Sequence, residues 1–144
     1  MKLKLLLLVT LMICSLRAAS VSDLTFRLTN GGTAYEVYAC DELATGDLVI
    51  PDTYNGLPVV SIYGEVDEYW MATSGRGAFS NCSSLGEITL PDSITRIGGN
   101  AFSDSNISSI NIPAGVTQIG TSIFRNCSNL GEIQLEEGRA KFRL

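Results

Sequence analysis

The stretch of sequence that decides the fold runs from residue 78 to residue 135. Residues 78–98 read AFSNCSSLGEITLPDSITRIG, residues 101–120 read AFSDSNISSINIPAGVTQIG, and residues 123–135 read IFRNCSNLGEIQL. The phenylalanine near the start of each copy recurs after 23 and then 22 residues. A fixed period in the low twenties predicts a solenoid, in which each coil buries its apolar residues against the neighbouring coils.

The pattern inside one repeat predicts a short strand that ends at a turn. The apolar residues Leu85, Ile88 and Leu90 end in an alternation of apolar and polar positions, which is typical of a half-buried strand. Pro91 follows at once and ends the strand, because proline cannot donate to a strand ladder. We expect strands near residues 45–50, 85–90, 107–112 and 130–135, and a single interior stack of Phe79, Phe102 and Phe124. The fold class is therefore mainly β, without long helices.

The first twenty residues have the layout of a secretory signal peptide. Lys2 and Lys4 precede an apolar run from Leu5 to Ile13, and Ala18-Ala19-Ser20 supplies small residues for cleavage. Ala18 and Ser20 are both suitable cleavage positions. The run is too short to cross about 30 Å of hydrocarbon comfortably. No later apolar run is long enough, so we expect no membrane span after cleavage and a secreted chain.

Residues 21–144 fit one domain. Two short strands around Asn30-Gly31-Gly32 predict a β-hairpin. Because a solenoid must cover its open apolar end, we interpret residues 24–42 as an N-terminal cap. Residues 43–135 form the short solenoid of repeats, and residues 136–144 form a polar tail.

The charge and the missing residue types exclude several classes of function. Once Lys2, Lys4 and Arg17 are removed, 10 − 3 = 7 Lys and Arg face 15 Asp and Glu, a net charge of −8. Nucleic-acid binding would need a basic stripe, so we expect none. The chain has no histidine, which is the commonest general base and metal ligand. A nucleophile elbow and a phosphate loop are also missing. We therefore expect no enzyme, no metal site and no cofactor.

Three cysteines follow the leader: Cys40, Cys82 and Cys127. An odd number in a secreted chain can mean one bridge and a spare thiol. Cys82 and Cys127 occupy the same repeat position two coils apart, which places them roughly 10 Å from each other at about 4.8 Å per coil. A disulfide needs Cα atoms within about 7 Å. We expect these two as buried thiols, whereas nothing in the sequence assigns Cys40.

The repeat resembles the BspA-like leucine-rich repeats, whose unit runs Ala-Phe-x-x-Cys-x-x-Leu-x-x-Ile-x-Ile-Pro-x-x-Val-x-x-Ile-Gly. Residues 78–98 match it almost throughout, and the resemblance extends over about residues 43–135. It implies extracellular display and adhesion or protein binding, with no catalytic residues. Two features depart from the family pattern: the array is short, and residues 63–77 form a long insertion.

That insertion is the candidate binding site. Loops of this length within a compact domain are often functional or disordered, and aromatic side chains beside carboxylates suit a contact with a protein or a sugar. The predicted ligand-binding residues are the insertion's aromatics and a row of outward side chains beside it: Tyr63, Tyr69, Trp70, Glu87, Thr89, Asn111 and Gln134. The alternatives are that Trp70 covers the irregular first coil and that the row is merely solvated.

These observations favour a secreted or cell-surface, non-catalytic binding or adhesion module whose partner is an extracellular protein or glycan. The alternative is a truncated structural remnant of a longer surface repeat protein, without a ligand of its own. An enzyme is a distant third hypothesis.

Overall fold

The computed structural model describes residues 18–65 and 76–136, and this part of the chain is mainly β. The strands are β1 (Leu24–Thr29), β2 (Ala34–Cys40), β3 (Gly46–Val49), β4 (Thr53–Tyr54), β5 (Leu57–Ile62), β6 (Leu85–Thr89), β7 (Arg96–Ile97), β8 (Ser109–Ile112), β9 (Gln118–Ile119) and β10 (Glu132–Leu135). Within the described residues, the helical segments are single 3-10 turns at Val21–Asp23 and Asn30–Gly32. The predicted absence of long helices is confirmed for those ranges.

One parallel sheet, which we call the repeat sheet, holds the strands predicted from the repeat in the order β10-β8-β6-β3. Equivalent repeat positions are in register, since Leu48 pairs with Ile88, Ile88 with Ile110, and Ile110 with Ile133. The chain therefore advances by one strand per coil, and the solenoid prediction is confirmed.

The other sheet, which we call the hairpin sheet, has the order β1-β2-β5-β7-β9, with β4 attached to β5. Strands β1 and β2 are antiparallel and form the hairpin that Asn30-Gly31-Gly32 predicts. Strand β2 then pairs in parallel with β5, and β5 with β7, so the hairpin continues the sheet that the coils begin. Hairpin and repeats consequently share one ladder of backbone hydrogen bonds.

The phenylalanine stack is confirmed. The rings of Phe79 and Phe102 have centroids 5.1 Å apart and are inclined by 10°, and those of Phe102 and Phe124 are 5.7 Å apart at 22°. Phe79 and Phe102 are fully buried, whereas Phe124, in the last described coil, is half-buried. Ile133 and Leu135 of that coil are likewise exposed, although the equivalent Ile88 and Ile110 are buried. Among the coils of the described residues, the last one is therefore the least buried.

Glycines mark the corner where successive coils approach most closely. A Cβ atom on Gly98 would collide with the backbone of Gly64, and one on Gly120 would collide with the backbone of Gly99. Because these neighbours are main-chain atoms, they cannot move aside as the end of a side chain could. The corner can therefore be built only from glycine.

The residues at the predicted cleavage region belong partly to the folded domain. The N–H of Ala19 donates to the carbonyl of Thr45. The N–H of Ser20 donates to the Asp23 carboxylate at 2.7 Å, at the start of the first 3-10 turn. Residues 1–17 of the predicted leader, residues 66–75 of the insertion and residues 137–144 of the predicted tail lie outside the described residues.

Candidate functional site

Two tyrosines meet where the hairpin joins the first coil. Tyr38 lies near the end of β2, and Tyr63 directly follows β5, the strand that pairs with β2. Their ring centroids are 4.8 Å apart, with the planes inclined by 47°. The guanidinium carbon of Arg27, on β1, lies 4.3 Å from the Tyr38 centroid and 4.8 Å from the Tyr63 centroid. A guanidinium at this distance from an aromatic face is attracted by the ring quadrupole, so Arg27 holds both rings.

A buried carboxylate fixes Arg27 in that position. Glu36 lies opposite Arg27 in the β1–β2 ladder, and it accepts from Arg27 Nε at 2.8 Å and pairs with Nη2 at 2.6 Å. Arg96 Nη2 is 3.6 Å from the other oxygen of Glu36. The hydrogen bond to Glu36 raises the pKa of Arg27, and the charge of Glu36 adds to this effect against the opposing effect of burial. Glu36 thus orients the cation, and the cation orients the rings.

The two rings border a cleft of about 200 Å³, which we call the tyrosine cleft. Its lining includes Tyr38, Cys40, Glu42, Tyr63, Arg76 and Asn81. The cleft therefore combines aromatic faces with one carboxylate, one guanidinium and an amide. Such a mixture of large amphipathic rings and polar groups is typical of protein and sugar recognition.

Hydrogen bonds fix the part of the cleft lining that Ser80 and Asn81 form. The hydroxyl of Ser80 accepts from the N–H of Gly77 at 2.8 Å and lies 3.1 Å from the carbonyl oxygen of Asn100, to which it can donate. Asn81 has a φ of 65°, in the left-handed region that asparagine tolerates better than most residues. This part of the lining is therefore rigidly attached to the next coil.

The predicted insertion leaves and re-enters the fold at this cleft. Gly64 and Gly77 form an antiparallel bridge, and the N–H of Ala78 donates to the carbonyl of Tyr63 at 2.9 Å. Both ends of the insertion thus lie beside the two tyrosine rings. Tyr69 and Trp70, the other predicted anchors, lie outside the described residues.

The other predicted residues lie together on the repeat sheet. Thr89 pairs with Asn111, and Asn111 with Gln134, while Glu87 occupies the neighbouring row. The side-chain amides of two of these residues already donate hydrogen bonds to neighbouring carboxylates. Asn111 Nδ2 donates to Glu136 at 2.7 Å, and Gln134 Nε2 donates to Glu132 at 3.0 Å. The structure therefore groups Glu87, Thr89, Asn111 and Gln134 on the repeat sheet, whereas Tyr63 directly follows β5 of the hairpin sheet.

Residue patterns alone did not identify Arg27, Glu36 and Tyr38 as part of the site. The Arg27–Glu36 pair could have been found from the register of the predicted hairpin. A turn at Asn30–Gly32 places these two opposite charges across from each other on β1 and β2. The approach of Tyr38 to Tyr63 depends on the parallel pairing of β2 with β5, which no local pattern specifies.

Among the described residues, no group of three or more Cys, Asp and Glu side chains is arranged to hold a metal ion. The same residues contain no helix with the length and apolarity required to cross a membrane.

Comparison with known proteins gives one family and several solved structures. Residues 71–143 match the family model described as a BspA type leucine rich repeat region (6 copies). No curated protein matches the chain.

Three solved structures are similar in part. The leucine-rich repeat protein of T. pallidum is 19% identical, with a TM-score of 0.42 over 81% of this chain and 71% of that chain. A leucine-rich repeat protein from Bacteroides ovatus is 23% identical, with a TM-score of 0.40 over 78% of this chain and 40% of that one. A leucine-rich cell surface protein from Faecalibacterium prausnitzii is 21% identical, with a TM-score of 0.46 over 83% and 39%. The chain thus spans about two fifths of the length of the last two.

Proposed function

Because the chain belongs to the BspA-type leucine-rich repeat family, we propose that it is a secreted or cell-surface binding and adhesion module that catalyses no reaction. Its partner in this proposal is an extracellular protein or glycan. The contact surface is the tyrosine cleft together with the insertion that starts and ends there. Tyr63 is the described anchor, and Tyr69 and Trp70 of the insertion are the other proposed anchors.

The pair of tyrosine rings held by Arg27 is the observation that carries this proposal. In the middle coils the outward positions of the repeat sheet carry polar side chains, such as Thr89 and Asn111, and the exposed apolar side chains of that sheet, such as Val49, are aliphatic rather than aromatic. Tyr38, by contrast, is 38% exposed and its ring is already oriented. A ring held in place before binding loses little side-chain entropy on contact, and buried Tyr and Trp dominate binding energies at interfaces.

Secretion in this proposal uses cleavage after Ala18 rather than after Ser20. Cleavage after Ser20 would remove the donor of the hydrogen bond from Ala19 to Thr45 and both contacts of Ser20 with Asp23. Cleavage after Ala18 keeps these three hydrogen bonds, although it removes Ala18 from its bridge with Thr45. N-terminal sequencing of the secreted chain distinguishes the two positions.

The hairpin acts as the N-terminal cap in this proposal. Val37 of β2 is fully buried and Leu24 of β1 is 8% exposed, so the hairpin contributes apolar side chains to the same core as the coils. It also supplies Arg27, Glu36 and Tyr38. Covering the first coil and building the cleft are therefore done by the same two strands.

An array of extracellular proteins and glycans, followed by titration of the best hit, tests the binding function. Losing an aromatic anchor typically costs 2 kcal/mol or more, on the order of a thirtyfold loss in affinity. We expect Tyr63→Ala and Trp70→Ala to show this loss and Tyr63→Phe, which keeps the ring, to retain binding. Trp70→Ala should leave the melting temperature nearly unchanged.

Thr89→Ala and Gln134→Ala are the matched controls, because both residues are exposed on the repeat sheet. If these two variants weaken binding while Tyr63→Ala does not, the polar row is the binding surface and the tyrosine cleft is not. If folded protein binds nothing on the array, the binding function is overturned in favour of a structural repeat segment without a ligand.

A further inference from the structure

Cys40 and Cys82 are brought together although 41 residues separate them in the sequence. Cys40 is the last residue of β2, and its N–H donates to the carbonyl of Ala78 at 2.8 Å. Cys82 closes the turn that begins at Ala78, since its N–H bonds to the carbonyl of Phe79 at 3.3 Å. The end of the hairpin is thereby docked on the turn that carries the second thiol.

The two sulfur atoms are neighbours. Cys40 Sγ lies 3.6 Å and Cys82 Sγ 4.0 Å from the same carbonyl oxygen, that of Asp41. Both cysteines are free thiols in the structure, and the side-chain interaction with Cys40 is the largest cause that raises the pKa of the Cys82 thiol. Cys127 is placed differently, because its Sγ lies 2.9 Å from the carbonyl of Phe102 and 3.5 Å from the hydroxyl of Ser105.

We propose that Cys40 and Cys82 are a disulfide-forming pair that covalently ties the N-terminal hairpin to the first regular repeat beside the tyrosine cleft. The required co-reactant is a disulfide donor of the secretory pathway or extracellular space, either an oxidoreductase or a small-molecule disulfide. The pair is independent of which ligand the cleft binds.

The reaction is two successive thiol–disulfide exchanges. The Cys40 thiolate attacks one sulfur of the donor disulfide, which forms a mixed disulfide and expels one donor thiolate. The Cys82 thiolate then attacks the Cys40 sulfur, which forms the intramolecular bridge and expels the second donor thiolate. Each cysteine gives up one proton, and the two electrons of the oxidised thiols reduce the donor to two thiols.

The order of attack follows from exposure. Cys40 is partly exposed and lines the cleft, so a donor can reach it, whereas Cys82 is fully buried. In the reduced protein the hydrogen bond to Cys40 and burial raise the pKa of the Cys82 thiol, so Cys82 is not the first nucleophile. Once Cys40 is in the mixed disulfide, the interaction with the Cys40 thiol that raises the pKa of Cys82 is removed, so Cys82 ionises more easily.

Oxidised glutathione added to the purified full chain tests the pairing, in a Cys14→Ser background that removes the thiol of the leader. Free thiols are counted after denaturation, and peptide mapping identifies bridged cysteines. We expect three free thiols to fall to one, with Cys40 and Cys82 in one bridged peptide. In Cys127→Ser the number of free thiols should fall from two to none, whereas in Cys40→Ser both remaining thiols should stay free.

The bridge would close a loop of 82 − 40 = 42 residues, which in the chain-entropy model raises the melting temperature of a domain this size by up to about 15 °C. Reductant should reverse that rise in the parent chain and have no effect on Cys40→Ser. The proposal is overturned if all three thiols of the folded chain stay free, or if mapping finds a bridge to Cys127.

Discussion

Replacing Phe102 by alanine tests whether the phenylalanine stack holds the coils together. Phe102 is fully buried and, within residues 18–65 and 76–136, is the one ring of the three that stacks on both sides, at 5.1 Å on Phe79 and 5.7 Å on Phe124. A buried Phe→Ala change costs about 3–5 kcal/mol. Because two aromatic pairs are lost, each worth about 0.5–1.5 kcal/mol, we expect Phe102→Ala near the upper end of that range.

Phe124→Ala is the matched control, since it removes the same ring one coil later. Phe124 is half-buried and, among the described residues, stacks on one ring, so we expect about half the loss, or ~2.5 kcal/mol. With an unfolding entropy of about 2.1 cal/mol/K per residue, these losses lower the melting temperature by about 19 °C and about 10 °C.

Urea denaturation followed by far-ultraviolet circular dichroism measures both variants, with the m-value used to confirm a single transition of unchanged cooperativity. Equal losses at the two positions, or a loss below about 1 kcal/mol at Phe102, would refute the argument that burial between two coils sets the energy of each ring.

Two other perturbations test the glycine corner and the buried thiol. Gly98→Ala should cost about 3 kcal/mol or more because its Cβ meets the backbone of Gly64. Gly131→Ala, whose Cβ finds only Ser108 O at 3.8 Å, should leave the urea midpoint unchanged or slightly raised; similar losses in both would contradict the close-approach argument. In the reduced protein, the hydrogen bond to Cys40 and burial raise the pKa of Cys82, so the native state keeps a proton that the unfolded thiol releases near pH 8.5. Stability is therefore full below that pH and falls above it by up to about 1.4 kcal/mol per pH unit. Cys82→Ala should abolish this slope and Cys127→Ala should keep it, as measured by urea midpoints from pH 7 to 10 under reductant.

The repeats could be predicted from the sequence because their information is local and repeated. Each copy carries its own strand, its proline stop and its phenylalanine, and every coil meets a neighbour with the same pattern. Register follows directly, since Ile88 can bury itself only by lying beside Ile110. The hairpin turn at Asn30–Gly32 was also predictable, because its chemistry is contained in three residues.

The tyrosine cleft could not be predicted in the same way, because it arises from contacts between unlike segments. Tyr38 meets Tyr63 only after β2 pairs with β5. The register of that pairing shifts between Tyr35 and Glu36, so a regular alternation of side chains along β2 does not predict the contact. Cys40 meets Cys82 for the same reason. The repeat period relates the positions of Cys82 and Cys127 to each other. It does not predict the position of Cys40, because Cys40 lies outside the repeat.

In the proposed function, the irregular parts of the described residues supply the binding surface. In a regular coil the large apolar side chains, such as those of Phe102 and Ile110, are buried in the core. The side chains that such a coil directs outward are small or polar. A long solenoid compensates with the area of its concave sheet, but four strands in the repeat sheet of the described residues offer little. The hairpin and the insertion are free of the repeat's constraint, and they supply the two tyrosines and the Glu36–Arg27 pair that positions them. Arg27→Met, which keeps an unbranched apolar stem but removes the cation, should therefore weaken ligand binding through disorder of the rings without any loss of direct contact.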